Sequence, residues 1–189
     1  REASIKEVLA SLEVAADLRP LKVVLHPSFI MGLGVLVMDQ SRQYALTSLE
    51  AIVERADRLG LCLCLENMFP QSNALVDAND FMEIFDRFPG LKMTLDIGHA
   101  NIGSRGGERA LGFLERCQDR IEHIHVSDNL GKEDIHLPVG AGSVDFAGII
   151  KAIHAIGYDK TITLEVFSRD RDYLKISREK LVSMFTRLP

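Results

Sequence analysis

Five residues that could bind a metal ion or transfer a proton recur along the chain, each near the end of a short apolar segment. They are His26, Glu66, Asp96, His125 and Glu165. Imidazoles and carboxylates are common ligands of divalent cations, and they also act as general acids and bases. In the segment TLDIGHAN, Asp96 and His99 lie three residues apart. An Asp at this point could also simply cap a turn or a helix, so the surrounding elements must decide between the two interpretations.

The apolar segments that end at these residues are predicted to be β-strands separated by helices. The strands are predicted at residues 21–26, 61–66, 91–96, 121–126 and 161–166. Apolar residues recur with helical spacing most clearly at 41–59 and 145–157, and more weakly at 2–17, 79–87, 107–118 and 171–186. Strands that alternate with helices of this length predict right-handed βαβ units and a parallel sheet.

The alternation of side chains along the strands predicts that the candidate ligands share one face of the sheet. Small or polar residues accompany the three acidic candidates on that face, whereas bulky aliphatic residues occupy the other. These companions are Cys62, Cys64, Thr94, Thr161 and Thr163. The pattern is typical of a barrel wall whose site lies at the carboxyl ends of its strands. It favours a functional role for Asp96 over simple capping.

Five ordered motifs resemble the strand-end motifs of the xylose isomerase-like TIM-barrel superfamily, which includes sugar isomerases and epimerases as well as endonuclease IV. The motifs are CLENMF, TLDIGHAN, HIHVSDN, DIHLPVGAGSVDF and TLEVF, and the resemblance covers about residues 21–168. It implies an α/β fold, the (β/α)8 barrel. Because five strands cannot close such a barrel, residues 1–189 are expected to be a single domain that holds about the last five βα units. A half-barrel completed by a partner subunit is the alternative.

The resemblance also implies a metal centre and a reaction. Its ligands would be Glu66, Asp96, His125 and Glu165, around Mn²⁺, Mg²⁺, Co²⁺ or Zn²⁺. His123 lies on the same face, one layer deeper, so His125 is preferred. The implied function is that of a sugar or sugar phosphate isomerase or epimerase, in which the metal chelates a carbonyl and a hydroxyl of the substrate. Glu66 and Glu165 would be the catalytic residues that transfer the proton, and His99 would bind a substrate oxygen.

A second function is implied by the endonuclease branch of the superfamily. His26 stands where that branch has a zinc ligand, and Asp134 and His136 match its Asp-x-His pair. Together with His99 they could bind a further metal, in a zinc-dependent endonuclease IV-like phosphodiesterase acting on abasic-site DNA. The net charge of −5 argues against a nucleic-acid substrate, and the loops after the candidate ligands supply only one basic residue, Lys132. The isomerase or epimerase is therefore the favoured prediction.

Composition limits the remaining possibilities. With 47% hydrophobic residues in 189, the chain can bury a single core, and no apolar run is long enough to cross a membrane. Three cysteines without zinc-ribbon spacing favour a reducing cytoplasm. A small-molecule sugar is the expected partner, and a homo-oligomer stays open.

Several residues near the motifs have two interpretations. Gly140 and Gly142 could hold a phosphate through their backbone amides or could form a tight turn. Asn67 and Asn101 follow ligand positions and would either orient substrate or cap helices. The pair Cys62 and Cys64 is predicted to pack inside the barrel rather than to bind metal, and His154 is predicted to lie on a helix surface.

Overall fold

Five parallel strands form a curved sheet whose neighbours follow the order of the chain. The computed structural model describes residues 1–27 and 29–188. In this part of the chain the strands are β1 (Val23–Leu25), β2 (Leu63–Glu66), β3 (Lys92–Asp96), β4 (Ile121–Val126) and β5 (Thr161–Leu164). Every neighbouring pair is parallel, in the order β1-β2-β3-β4-β5. The predicted parallel α/β sheet is confirmed, and its described part is a half-barrel.

The helices connect the strands and account for the six helical segments predicted from the sequence. These are α1 (Glu2–Leu18), α3 (Met38–Arg58), α4 (Ala78–Arg87), α6 (Glu108–Arg116), α7 (Phe146–Ala155) and α8 (Asp172–Thr186). Two short helices, α2 (Leu33–Leu36) and α5 (Ile97–Asn101), were not predicted, and a 3₁₀ turn spans Pro70–Ser72. A helix of four or five residues is too short to show a periodic pattern in the sequence.

The hydrophobic core lies between the helices and the outer face of the sheet. Leu65, Leu95 and Ile124 point to this face and are buried. Phe81 of α4 and Phe113 of α6 meet edge to face against them, with ring centroids 5.6 Å apart. Each such side chain contributes about 1.5–3 kcal/mol when fully buried. This packing fixes the opposite, inner face of the strands toward the barrel interior, as the alternation predicts.

The inner face is packed in the middle of the sheet and open at its edge. Cys64 and Thr94 are buried, whereas Thr161 and Thr163 are exposed because β5 is an edge strand of the described sheet. The sheet is curved, so that residues near its two edges meet on the inner face. Lys22, next to β1, contacts Glu122 of β4 and donates to Thr161 Oγ1 of β5 at 3.3 Å.

Two strands end earlier than predicted. The first ends at Leu25 and the last at Leu164, so His26 and Glu165 lie just beyond their strands. The N–H of Glu165 nevertheless donates to Val126 O at 2.9 Å, which continues the pairing with β4 and holds Glu165 beside it. Within residues 1–27 and 29–188, no helix combines the length and apolar character needed to cross a membrane.

Candidate metal centre

Four of the predicted ligands converge at the carboxyl ends of the strands. One ligand atom from each of Glu66, Asp96, His125 and Glu165 lies within 4.8 Å of the others. The Nδ1 atom of His125 is 2.7 Å from Glu66 Oε1, 3.2 Å from Glu165 Oε1 and 3.7 Å from Asp96 Oδ2. The expected convergence is therefore present, and the roles of these residues as ligands stay a prediction.

The cluster concentrates negative charge in a buried place. Burial of Asp96 and the nearby charge of Glu66 raise the pKa of Asp96 to about 6, although the charge of His99 and its backbone N–H act in the opposite direction. Burial by itself would lower the pKa of His125, but the hydrogen bond to Glu66 and the surrounding carboxylates raise it. Three carboxylates face one imidazole, so a divalent cation would neutralise the excess charge.

The surroundings of one carboxylate oxygen of Asp96 show whether these residues are suited to bind a metal ion. Its Oδ1 atom accepts the backbone N–H of His99 at 2.6 Å. Its Oδ2 atom is buried and has no hydrogen-bond partner among the residues that the structure describes. A buried carboxylate oxygen without a partner is costly, and a bound cation would remove that cost by coordinating it. Three carboxylates and one imidazole form a donor set that suits Mn²⁺, Mg²⁺, Co²⁺ or Zn²⁺, so the site fits a divalent metal.

His123 and His125 occupy successive layers of the inner face, as predicted. Their ring centroids are 5.0 Å apart. The nitrogens of His123 lie 2.7 Å from Thr161 Oγ1 and 3.0 Å from Thr163 Oγ1. His123 is therefore hydrogen-bonded to the threonines of β5 one layer below the cluster, whereas His125 faces the cluster.

A second group, formed by His99, Asp134 and His136, lies beside the first. The Nε2 atoms of His99 and His136 are 3.2 and 3.1 Å from the same oxygen, Asp134 Oδ2. Their Nδ1 atoms donate to backbone carbonyls, at 2.8 Å to Asn67 O and at 3.0 Å to Glu165 O. This orientation leaves both Nε2 atoms directed at one carboxylate, so the three side chains form one unit.

Charge couples the members of this second group. Burial would lower the pKa of His99, but the charge of Asp96 and the hydrogen bond to Asp134 raise it to about 10. The hydrogen bond to Asp134 likewise raises the pKa of His136. The pKa of Asp134 is lowered, because the hydrogen bonds and charges of the two histidines outweigh its burial. The unit is thus a carboxylate held between two imidazole rings, each of which it makes easier to protonate.

His26 does not join either group closely. Its side chain is exposed, and its ring centroid lies 5.9 Å from that of His99, edge to face. Among residues 1–27 and 29–188, one group has three or more potential ligand atoms within 4.8 Å of one another. It consists of Glu66, Asp96, His125 and Glu165. The structure therefore places the additional candidates near the rim, with His26 farther out.

The phosphate interpretation of Gly140 and Gly142 is wrong. Their N–H groups donate to Asp128 Oδ2 at 3.0 and 2.8 Å. The other oxygen of Asp128 accepts the N–H groups of Asn129 and Val144 at 2.9 and 3.1 Å. The amides are occupied by a buried carboxylate of the same chain, so the tight-turn interpretation holds. Asp128 was not singled out from the sequence.

The side chains of the two asparagines form hydrogen bonds within the chain. Asn67 neither faces the cluster nor caps a helix, because its carboxamide exchanges two hydrogen bonds with the backbone of Asp96. Asn101, in α5, donates to Asn129 Oδ1 at 2.8 Å and to Ser143 Oγ at 3.1 Å. Both residues are buried.

The remaining predictions near the motifs agree with the structure. Cys62 and Cys64 are free thiols, and burial raises the pKa of Cys64 to about 12, which makes it a packing residue. His154 is exposed on α7.

The chain is a parallel βα half-barrel with a cluster of carboxylates and a histidine at the carboxyl ends of its strands. These two features define the class of α/β barrels that carry a candidate metal centre at the barrel mouth. The chain belongs to the xylose isomerase-like TIM-barrel family, whose model matches residues 1–184.

Three similar proteins illustrate this membership. An uncharacterised protein of Methanocaldococcus jannaschii is 31% identical over 196 residues, which cover 96% of this chain and 66% of that protein. The crystal structure of a D-tagatose 3-epimerase-like protein superimposes with a TM-score of 0.86 at 30% identity, covering 98% of this chain and 70% of that one. The fructoselysine 3-epimerase of Escherichia coli O157:H7 is 25% identical over 122 residues, or 63% of this chain and 43% of the enzyme. The chain spans slightly less than two thirds of the length of the M. jannaschii protein.

Proposed function

We propose that the protein is a divalent-metal-dependent sugar or sugar phosphate epimerase or isomerase, which moves a proton at the carbon beside a carbonyl group. The observation that carries the proposal is the convergence of Glu66, Asp96, His125 and Glu165 within 4.8 Å. The names of two similar proteins, a D-tagatose 3-epimerase-like protein and a fructoselysine 3-epimerase, support the same class of reaction.

The bound cation would act as a Lewis acid that polarises the substrate carbonyl and makes the neighbouring C–H more acidic. The protein would supply the bases. Glu66 ends β2 and Glu165 lies beyond β5, so β3 and β4 separate them along the sheet, and both approach His125 Nδ1. Epimerisation needs a proton to leave one face of a carbon and to return to the other. Two carboxylates on either side of one position can perform both steps.

The two carboxylates have different surroundings. The Glu66 side chain is 4% exposed and that of Glu165 is 27% exposed. Glu165 is therefore the one nearer to solvent and to the barrel mouth. His99 would hold a substrate oxygen through Nε2 in exchange for its contact with Asp134, because Nδ1 is bonded to Asn67 O.

The test is proton exchange by the full-length protein loaded with Mn²⁺ and incubated with a panel of ketoses in D₂O. We expect interconversion of two epimers, with deuterium entering at the carbon beside the carbonyl. Glu165→Gln keeps an oxygen but removes the proton acceptor, so interconversion should fall by about 10²–10⁴-fold. The matched control is Glu179→Gln, the same change at an exposed position on α8. Absence of exchange with every ketose would contradict the proposal.

The convergence of His99, Asp134 and His136 on one oxygen favours a second candidate function, that of a zinc-dependent phosphodiesterase acting on abasic-site DNA. It requires more than one zinc ion per chain, because this group would hold a metal of its own beside the first. Metal content after loading with Zn²⁺ and cleavage of an abasic-site duplex distinguish the two functions. Several zinc ions per chain together with DNA cleavage, and no ketose exchange, would replace the epimerase proposal.

A further inference from the structure

Asn67 makes a reciprocal pair of hydrogen bonds with the main chain of Asp96. Asp96 N–H donates to Asn67 Oδ1 at 2.7 Å, and Asn67 Nδ2 donates to Asp96 O at 3.0 Å. Asn67 is fully buried and directly follows Glu66 in the chain. Its side chain therefore joins the main chain beside one candidate ligand to the main chain of another.

This pair replaces a missing part of the sheet. The register pairs Glu66 of β2 with Thr94 of β3, so a longer β2 would place Met68 beside Asp96. Met68 instead turns away, and its N–H donates to Leu75 O at 2.8 Å. The backbone N–H and C=O of Asp96 would lose their strand partner at this point, and the Asn67 carboxamide supplies both bonds.

We propose that Asn67 is a positioning residue that sets the separation of Glu66 and Asp96 and thereby prepares the metal centre. The inference rests on the proposed function, because it assumes that the cluster binds a divalent cation. A carboxamide bonded through both of its polar atoms cannot rotate without losing a buried hydrogen bond. The distance between the ends of β2 and β3 is thus fixed before any cation binds.

The same residue orients His99. The carbonyl of Asn67 accepts the His99 Nδ1–H at 2.8 Å, and the backbone N–H of His99 donates to Asp96 Oδ1 at 2.6 Å. The three residues therefore form a closed ring of hydrogen bonds. Because Oδ1 of Asp96 is committed to His99, Oδ2 is the oxygen left for the cluster, 3.7 Å from His125 Nδ1. Outer hydrogen bonds of this kind orient metal ligands and typically change metal affinity by about 10–100-fold.

Metal affinity separates positioning from a general structural role. Metal-free full-length protein is titrated with Mn²⁺ alone, free Mn²⁺ is followed by electron paramagnetic resonance, and the Tm is recorded before metal is added. We expect Asn67→Ala to weaken Mn²⁺ binding by about 10–100-fold while the protein stays folded. The control is Asn101→Ala, a fully buried asparagine whose hydrogen bonds go to Asn129 and Ser143 instead. It should lower the Tm and leave Mn²⁺ affinity unchanged.

A ring-nitrogen NMR spectrum adds a readout at His99, whose ¹⁵N shifts should move in Asn67→Ala and stay unchanged in Asn101→Ala. If Asn67→Ala does not fold, Asn67→Ser takes its place, because the shorter hydroxyl cannot span both backbone groups of Asp96. The wild-type protein offers a test without any variant. The Asn67 side-chain amide protons should exchange with solvent far more slowly than those of Asn79, which is exposed on α4.

The outcomes separate the inference from the proposed function. Folded Asn67→Ala that binds Mn²⁺ as tightly as the wild type would overturn the inference alone. Exchange of the Asn67 amide as fast as that of Asn79 would do the same. A wild-type protein that binds no Mn²⁺ would overturn the proposed metal centre, and the inference with it.

Discussion

The carboxylate of Asp128 lies 2.8 Å from the backbone nitrogen of Gly142, just beyond β4. Backbone hydrogen bonds between Asp128 and Leu137, at 2.9 and 2.7 Å, close the same loop from the other side. The loop therefore returns to its own start and holds His136 beside Asp134. A single buried acid thus shapes the rim of the candidate site without facing it.

We expect Gly142→Ala to destabilise the protein. A Cβ at this position would lie 2.2 Å from Asn129 O and 2.4 Å from Asp128 Oδ1, so the carboxylate and the turn cannot both stay in place. Overpacking of this kind costs about 1–3 kcal/mol and lowers the Tm by several degrees in a chain of this size. Thermal unfolding followed by circular dichroism measures it.

The control for that substitution is Gly112→Ala in α6. An added Cβ there meets nothing within 4 Å among the described residues. Alanine is also the better helix former, so we expect the free energy of unfolding to rise by up to about 1 kcal/mol. Equal Tm values for the two variants would show that the turn around Asp128 is not packed as described.

The strands and the shared face of the strand-end residues could be predicted from the sequence, because both follow from a period of two and from strand ends, whereas the choice of four ligands among those residues came from the resemblance to the superfamily. Leu65, Leu95 and Ile124 mark the outer face of their strands, and this alternation locates the candidate ligands on the inner face. Asn67 and Asp128 could not be predicted in this way. Their partners are backbone groups of other segments, whose positions depend on strand register and loop geometry rather than on local pattern.

The shorter features could not be predicted either, for physical reasons. Helix α5 has five residues and begins where Asp96 caps it, so a capping role and the proposed ligand role would coexist in one side chain. Glu165 was placed inside a strand, but β5 ends at Leu164. The extended backbone beyond the strand end has the same residue preferences as the strand itself, so the sequence pattern does not mark the boundary.

Asp96→Asn should weaken metal binding without lowering the stability of the metal-free protein. Burial and the charge of Glu66 raise the pKa of Asp96 to about 6, so ionised Asp96 opposes folding above that pH. Asparagine keeps an oxygen for the His99 N–H but removes this charge. We expect an unchanged or higher Tm in metal-free protein near neutral pH, and Mn²⁺ affinity reduced by more than the roughly 10–100-fold typical of an outer hydrogen bond.

Calorimetric titration with Mn²⁺ and thermal unfolding in EDTA measure the two effects of Asp96→Asn. Asp86→Asn, at an exposed position on α4, is the matched control and should change neither. A lower metal-free Tm for Asp96→Asn would show that the buried carboxylate stabilises the fold by itself, against the expectation.

The unit of His99 and Asp134 should make stability depend on alkaline pH. Against the effect of burial, the charge of Asp96 and the Asp134 hydrogen bond raise the pKa of His99 from 6.5 to about 10, so the folded protein holds this proton more tightly than the unfolded chain. The resulting stabilisation is fully present below pH 6.5 and is lost as the pH rises toward 10. The slope can reach about 1.4 kcal/mol per pH unit for one proton.

Urea unfolding of metal-free protein across this range measures that slope. The difference in unfolding free energy between the wild type and His99→Gln should shrink as the pH rises. In Asp134→Asn the loss should still begin near pH 6.5, where the unfolded chain releases its proton, but it should end at a lower pH and be smaller, because the carboxylate that helps to raise the pKa of folded His99 is gone. A difference that does not vary with pH would mean that His99 is not charged in the folded protein.

Glu66 and Glu165 should divide the two faces of the reacting carbon between them. They reach His125 Nδ1 from opposite sides of β3 and β4, at 2.7 and 3.2 Å. If each removes the proton of one epimer, a variant that lacks one carboxylate retains exchange with the epimer served by the other. Glu66→Gln and Glu165→Gln should each lose interconversion by about 10²–10⁴-fold. In D₂O they should label opposite epimers, as seen by proton NMR.

Mn²⁺ binding is measured for both variants, so that loss of metal is not mistaken for loss of a base. If the two variants, with metal bound, label the same epimer, the carboxylates do not act on opposite faces.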